Sequence, residues 1–199
     1  MAMPLILASQ SAVRTTVLAN AGIGFTTQTA RIDERAIEEA VAGSGITPAE
    51  LATILAEAKA LSVSEHLHDA YVLGADQTLS LEDTVLHKAQ NIEQARRRLV
   101  SLSGRTHMLN SALVITRADE VVWRHVSVAR LTMRQLTPAF IGRHLARVGE
   151  EILASVGCYQ IEGEGVQLFE EIDGDYFTIV GLPLLPLLKE LRRLGVIDG

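Results

Sequence analysis

Residues 106–132 read THMLNSALVITRADEVVWRHVSVARLT. Two strand-like runs, Thr106–Thr116 and Val121–Thr132, flank the polar turn Arg117–Glu120, and this pattern predicts a long antiparallel hairpin. The hairpin sits among helices. Upstream, Asn91 with Gln94 opens a helix to about Leu102. Downstream, Thr137-Pro138 starts one to about Val148. Tyr71-Val72-Leu73-Gly74-Ala75 is a compact apolar strand ending at Asp76. Before it, Thr47-Pro48-Ala49-Glu50 carries a capping threonine, a first-turn proline and the glutamate of a capping box. Leu51, Ile54, Leu55, Ala58 and Ser62 then share a helical face, which extends that helix to about His66. Nearer the start, Leu5–Ala8 reads as a buried strand. A helix capped by Ser11 runs to about Ala21, Phe25–Ala30 is strand-like, and a short helix spans Glu34–Val41. Near the end, Val166–Ile172 and Tyr176–Val180 read as strands around a Gly174 turn. Pro183 starts a last helix with Leu184, Leu187, Leu188 and Leu191 along one stripe. Helices mixed with strands, one pair of them antiparallel, predict an α/β fold with a mixed twisted sheet flanked by helices.

Composition narrows the class. The 199 residues are 48% hydrophobic and 21% charged, with a net charge of −6, a globular balance. That length suffices for one complete core, so a single domain over 1–199 is expected. The one cysteine, Cys158, excludes an internal disulfide and any multi-cysteine metal site, and it reads as a buried small apolar residue. No apolar run approaches the ~20 residues of a membrane span, and MAMPLILASQ lacks the basic start of a leader. A cytoplasmic protein, with no membrane partner, is the expectation. The acidic balance argues against a nucleic-acid polymer as partner.

Several familiar motifs are missing. There is no Gly-Lys-Ser/Thr, no Gly-x-Ser-x-Gly and no His-Glu-x-x-His, and Gly22-Ile23-Gly24 follows a helix rather than a strand. His66-Leu67-His68 reads as a solvated helix end, Arg96-Arg97-Arg98 as a solvated helix surface, and Asp173-Gly174-Asp175 as a hairpin turn.

Other polar residues fall where chemistry is done. Asp76 follows an apolar strand, the end at which α/β sheets place ligands, or it is simply a turn aspartate. Ser9-Gln10-Ser11-Ala12-Val13-Arg14 is a strand-to-helix turn with hydroxyls, amides and an arginine on the first turn. A cation there opposes the helix dipole, a mismatch that a bound phosphate relieves. The other reading is a solvated arginine. Asp33-Glu34 can supply a second carboxylate. Lys59 lies about 100° from its helix's apolar stripe, and Lys88 lies in a loop. Two carboxylates and three cations make an inventory for metal-assisted phosphate chemistry.

The order of these residues resembles that of a known family. Leu5-Ile6-Leu7-Ala8-Ser9-Gln10-Ser11-Ala12-Val13-Arg14 is similar to the opening Leu-Ala-Ser-x-Ser-Pro-x-Arg of the Maf family of nucleoside triphosphate pyrophosphatases. The likeness continues at Asp33-Glu34, Ala58-Lys59-Ala60, Gly74-Ala75-Asp76-Gln77, His87-Lys88 and Leu102–His107. It closes at Gly157–Gly163, Ile172–Tyr176 and Val180–Leu184, so it covers nearly the whole chain. Departures are Ala12 and Ala89, where the family has proline, and Thr15, where it has a second arginine.

The resemblance implies a fold of two lobes with a deep cleft, akin to the inosine-triphosphate pyrophosphatases. It also implies a homodimer, a divalent metal (Mg²⁺ or Mn²⁺), and hydrolysis of a nucleoside triphosphate to monophosphate and pyrophosphate. Carried over by motif, Asp76 is the catalytic carboxylate and, with Glu34, a metal ligand. Ser9, Arg14, Lys59 and Lys88 bind phosphate. Val13, Gln77 and Glu162 set base specificity, and Gln77 with Glu162 is similar to the branch acting on 7-methyl-GTP. A carboxylate at Glu162 can accept N–H bonds from a guanine edge and offset a cationic methylated base. The family is linked with housecleaning of non-standard nucleotides and with arrest of septum formation. The alternatives are therefore a dTTP/UTP pyrophosphatase, an inosine-triphosphate pyrophosphatase, and a non-catalytic nucleotide-binding regulator.

Overall fold

The computed structural model describes residues 3–65 and 67–199. Met1 and Ala2 of the leader reading, and His66 of the His66-Leu67-His68 stretch, lie outside the described residues. The elements run β1 (Leu5–Ala8), α1 (Ala12–Asn20), β2 (Thr26–Thr27), α2 (Glu34–Val41), α3 (Pro48–Ser64), β3 (Tyr71–Leu81) and β4 (Thr84–Leu86). Then follow α4 (Ile92–Leu102), β5 (Thr106–Arg117), β6 (Glu120–Met133), α5 (Pro138–Val148), β7 (Phe169–Asp173), α6 (Tyr176–Ile179) and α7 (Leu184–Arg193). Short 3₁₀ turns occupy Gly149–Ala154 and Glu164–Leu168. The described strands form a seven-stranded sheet of order β2-β1-β3-β5-β6-β7, with β4 also on β3. This is the mixed α/β sheet flanked by helices that the sequence predicts. The chain packs as two compact units, one of residues 1–77, 110–128 and 175–199, the other of 78–109 and 129–174.

In the first unit β1 pairs in parallel with β2 and β3, in the register Leu5↔Tyr71 to Ala8↔Gly74. Strand side chains alternate between faces. Leu5, Leu7, Leu73, Leu113 and Ile115 pack with Val17 and Leu18 of α1 and with Leu184, Leu187 and Leu191 of α7. Ile6, Val72, Ala112 and Val114 face the other way, onto Ala52, Ala56, Ala60 and Val63 of α3. Helices therefore cover both faces, which explains why residues 5–8 and 71–76 are all buried. Local chemistry starts the helices as expected. Ser11, Asp33 and Thr47 each accept the amide three residues on, and Thr47 with Glu50 completes the capping box.

In the second unit the far half of β3 turns antiparallel onto β4, with Leu79↔Leu86 and Leu81↔Thr84 paired. β7 pairs antiparallel with β6, with a bulge at Thr132/Met133. α4 packs on α5, and the 149–154 turn packs on both.

Five expectations are corrected. The strand at Tyr71 does not end at Asp76; it runs on to Leu81, because Thr78, Leu79 and Ser80 are buried too. Asp76 therefore sits inside a strand and is no turn aspartate. Phe25–Ala30 forms a strand only at Thr26–Thr27. Tyr176–Val180 is no strand: Asp175 accepts the Thr178 amide at 3.0 Å and caps the short helix α6. Asp173-Gly174-Asp175 is thus a strand-to-helix junction rather than a hairpin turn. Val166 at the head of the other expected strand lies in a 3₁₀ turn.

Candidate active site

The first unit gathers five of the residues singled out by sequence around the ends of β1 and the middle of β3. β1 stops at Ala8, level with Gly74, while β3 continues. Asp76 is therefore the first residue on the α3 face of β3 without a β1 neighbour.

Gly74 explains how α3 comes so near. A Cβ there would stand 2.0 Å from the Ala56 carbonyl oxygen and 2.9 Å from the Ala60 Cβ. The glycine serves the approach of a helix rather than of a ligand. That approach brings the Lys59 ammonium onto the Asp76 carboxylate, and it lies 2.9 Å from Glu34 at the start of α2. The Asp76 and Lys59 side chains are only 10% and 14% exposed, whereas Glu34 is half exposed. One cation thus bridges two carboxylates, one buried and one open to water. Such a pair is costly to break, because a buried charge loses its nearest partner.

The turn after β1 is built around the Ser9 hydroxyl. It accepts from the Ser11 amide and from Arg14 Nη1, both at 3.2 Å. Its own hydrogen is left to donate. Arg14 also donates Nη1 to the Ala75 carbonyl and Nε to the Gly181 carbonyl, each at 2.8 Å. These neutral acceptors relieve the dipole mismatch for which sequence reasoning invoked a phosphate. Arg14 is therefore a strut as well as a charge. Desolvation lowers its pKa, while Asp76 and Glu34 raise it again by attraction. A guanidinium keeps its proton under such opposing pulls. Val13 is half-buried and packs on the core of this unit.

Gln77, beside Asp76, is held equally firmly. Its Nε2 donates to Ser111 Oγ (2.8 Å) and to the carbonyls of Thr178 (3.1 Å) and Ile179 (3.0 Å). Two backbone carbonyls fix which way the amide points. Gly181 completes the seam. Its φ is +88°, and a Cβ would stand 3.3 Å from Arg14 Nη2 and 3.7 Å from the Gln77 amide carbon. Only glycine adopts that backbone at low cost.

A buried carboxylate on β3, the Lys59 cation on α3, and Arg14 with the donor hydroxyl of Ser9 after β1 suit an anionic substrate. The model of the family described as Maf-like protein matches residues 4–194. The chain belongs to the Maf family. Relatives named 7-methyl-GTP pyrophosphatase include one from Mesorhizobium japonicum, 62% identical over 98% of each chain. Another, from Brucella abortus, is 59% identical over the full length of both. Among solved structures, a nucleoside-triphosphatase / dITP/XTP pyrophosphatase from Mycobacterium abscessus aligns with 73% of this chain and 94% of that one. Its TM-score of 0.39 at 16% identity is too low to bear on fold or activity.

The remaining Maf motif residues belong to the second unit. Lys88 lies on an exposed loop after β4, and Glu162 is exposed just before a 3₁₀ turn. Sequence reasoning missed the residues that hold the site. Ser111, buried on β5, and Thr178 had no motif to mark them. Gly181, ahead of Pro183, carried the only available signal. Arg98 was misread as solvated: it donates to the carbonyls of Val156 and His87. Arg96 and Arg97, which face Glu93 on the surface, fit the solvated reading.

Proposed function

We propose that this chain hydrolyses a nucleoside triphosphate, of the 7-methyl-GTP type, to the monophosphate and pyrophosphate, and so removes non-standard nucleotides. The observation that carries the reading is the buried Asp76 carboxylate joined through Lys59 to Glu34, next to the Ser9–Arg14 turn. The names of relatives at 59–62% identity support the substrate class.

The donor set fits a magnesium-type ion. Such ions take one or two protein carboxylates and complete their shell with water and substrate phosphates. Glu34 and Asp76 supply that pair. Among the described residues no group of three or more His, Cys, Asp or Glu could hold a metal. When bound, the ion would offset charge on the α-phosphate. Asp76 accepts the proton of the attacking water. Lys59 and Arg14 offset negative charge on the phosphates, and the Ser9 hydroxyl donates to a phosphate oxygen. For Lys88 and Glu162, which belong to the second unit, the resemblance alone assigns contacts with phosphate and base. Catalysis of this kind rests on positioning and electrostatics.

Asp76→Asn keeps the shape of the side chain and removes the base. It is expected to fold, with Lys59 keeping Glu34 as its partner, and to lose ~10²–10⁴-fold in pyrophosphate release with Mg²⁺. Retained turnover would remove Asp76 from the role of base. A panel of 7-methyl-GTP, dTTP, UTP, CTP and ITP, scored by pyrophosphate release, tests the substrate. Binding without release across the panel would replace the enzyme by a regulator.

A further inference from the structure

The second unit holds a group that no sequence motif marks. Arg98, on α4, donates Nη2 to the His87 carbonyl at 2.8 Å and Nη1 to the Val156 carbonyl at 2.7 Å. His87 immediately precedes Lys88. On the other side of Lys88, the Ala89 amide donates to the sulfur of Cys158. Both neighbours of Lys88 are thus tied to the segment 156–158, one through Arg98 and one through Cys158. The lysine itself stays exposed, whereas Ala89 and Cys158 are buried.

The backbone of Cys158 is informative. Its φ is +56°, in the left-handed region, and it is not glycine. A non-glycine residue held there is strained, and it persists where the surroundings impose it. Glycine would remove the strain but also the sulfur that meets Ala89. Cys158 is fully buried, so it cannot act on an external electrophile. Burial pushes its thiol up, with Arg98 and the Ala89 amide pulling the other way, so it presents a neutral sulfur as acceptor.

We propose that Arg98 and Cys158 form a two-point clamp that positions Lys88 to meet the phosphate end of the substrate. The clamp rests on the reading of Lys88 as a phosphate-binding residue. Arg98 and Cys158 touch no substrate; they are positioning residues. Lysine is a flexible point charge, so its effect depends on where its backbone is held. Displacements of about 1 Å can cost ~10²-fold in rate. The loop has lost the proline that the resemblance leads one to expect at Ala89, which makes an external clamp more necessary.

The test has two independent arms. In the full chain, amide exchange by NMR should show Ala89 protected, and at least ~10-fold faster exchange in Arg98→Met and in Cys158→Ala. In the second arm, hydrolysis of 7-methyl-GTP with Mg²⁺ is measured for Lys88→Ala, Arg98→Met and the double variant. Arg98→Met should raise KM with a smaller change in kcat. The double variant should be no worse than Lys88→Ala, since a misplaced lysine and a missing one are equivalent. Arg98→Lys, which keeps one charge but cannot hold both carbonyls, should not rescue. Should Arg98→Met fail to fold, Cys158→Ala, which removes only the sulfur, carries both arms. Unchanged Ala89 exchange, or losses that multiply in the double variant, would overturn the clamp. A wild-type chain that releases no pyrophosphate from any triphosphate overturns the functional reading instead, and the phosphate role with it.

Discussion

The two units treat buried polarity in opposite ways. In the first, buried Asp76 has Lys59, Ser64 donates to Asp119, and Ser111 is held between Gln77 and Thr178; Thr116 Oγ1 is the exception. In the second, two buried histidines each keep a nitrogen without a partner, Nδ1 of His107 and Nε2 of His144. His107 does share Nε2 with the Tyr159 hydroxyl at 2.7 Å, among the rings of Tyr159 and Phe169. His144 stacks on Phe140. The first unit buries charge in compensated pairs, as a charged substrate requires. The second buries neutral rings, which stay stable only while they remain neutral.

The largest effect should come from breaking the compensation in the first unit. Lys59→Met leaves Asp76 buried without its cation and should cost about 3 kcal/mol, the lower end for a buried pair because Glu34 is half exposed. Pyrophosphate release should fall with it. A urea titration that finds Lys59→Met as stable as wild type would mean that Asp76 is not held by charge.

The second unit should fail first in acid. Desolvation lowers the pKa of His107 from 6.5 to about 4, and that of His144 in the same direction. A depressed histidine pKa makes the unfolded chain the stronger proton binder. Stability is therefore fully present above pH 6.5, declines as the pH falls towards 4, and loses nothing more from His107 below that. The slope approaches about 1.4 kcal/mol per pH unit and the loss about 3 kcal/mol. Amide exchange at pH 7 and pH 4.5 should show protection lost in 78–109 and 129–174 ahead of the rest. His107→Gln should flatten the dependence. Equal loss in both units would erase the contrast.

A smaller effect probes packing instead of charge. Gly74→Ala drives a methyl into the Ala56 carbonyl and should cost about 2 kcal/mol, read as a lower melting temperature. Activity should fall as well, because α3 carries Lys59. A native melting curve would show that α3 can retreat from β3 freely.

These contrasts also explain what the sequence disclosed. Where one local rule sufficed, the reading held: Leu5–Ala8, Glu34–Val41 and Pro138–Val148 were read with the bounds observed. Caps and first-turn prolines mark such boundaries within a few residues. Tyr176–Val180 reads as strand because its apolar and aromatic content outweighs the cap offered by Asp175. β3 was cut at Asp76 because a carboxylate inside a buried strand violates the pattern that defines the strand. Its ion pair with Lys59, 17 residues away in the chain, makes it tolerable. For the site, the Maf likeness named Ser9, Arg14, Glu34, Lys59 and Asp76, which the first unit brings together. It said nothing of Ser111, Thr178 or Arg98. Ser111 and Arg98 donate to distant backbone carbonyls and Thr178 offers its own, and no spacing along the chain encodes a carbonyl.

The pinned amide of Gln77 has an evolutionary corollary. A carboxylate in its place would aim oxygen at the oxygens of Thr178 and Ile179, so the single-step change from glutamine to glutamate meets repulsion from the main chain itself. Drift at position 77 towards an acid must wait until Ser111 and the 178–179 turn have been rebuilt. That corner of the protein is thereby shielded from one of the simplest substitutions available to it.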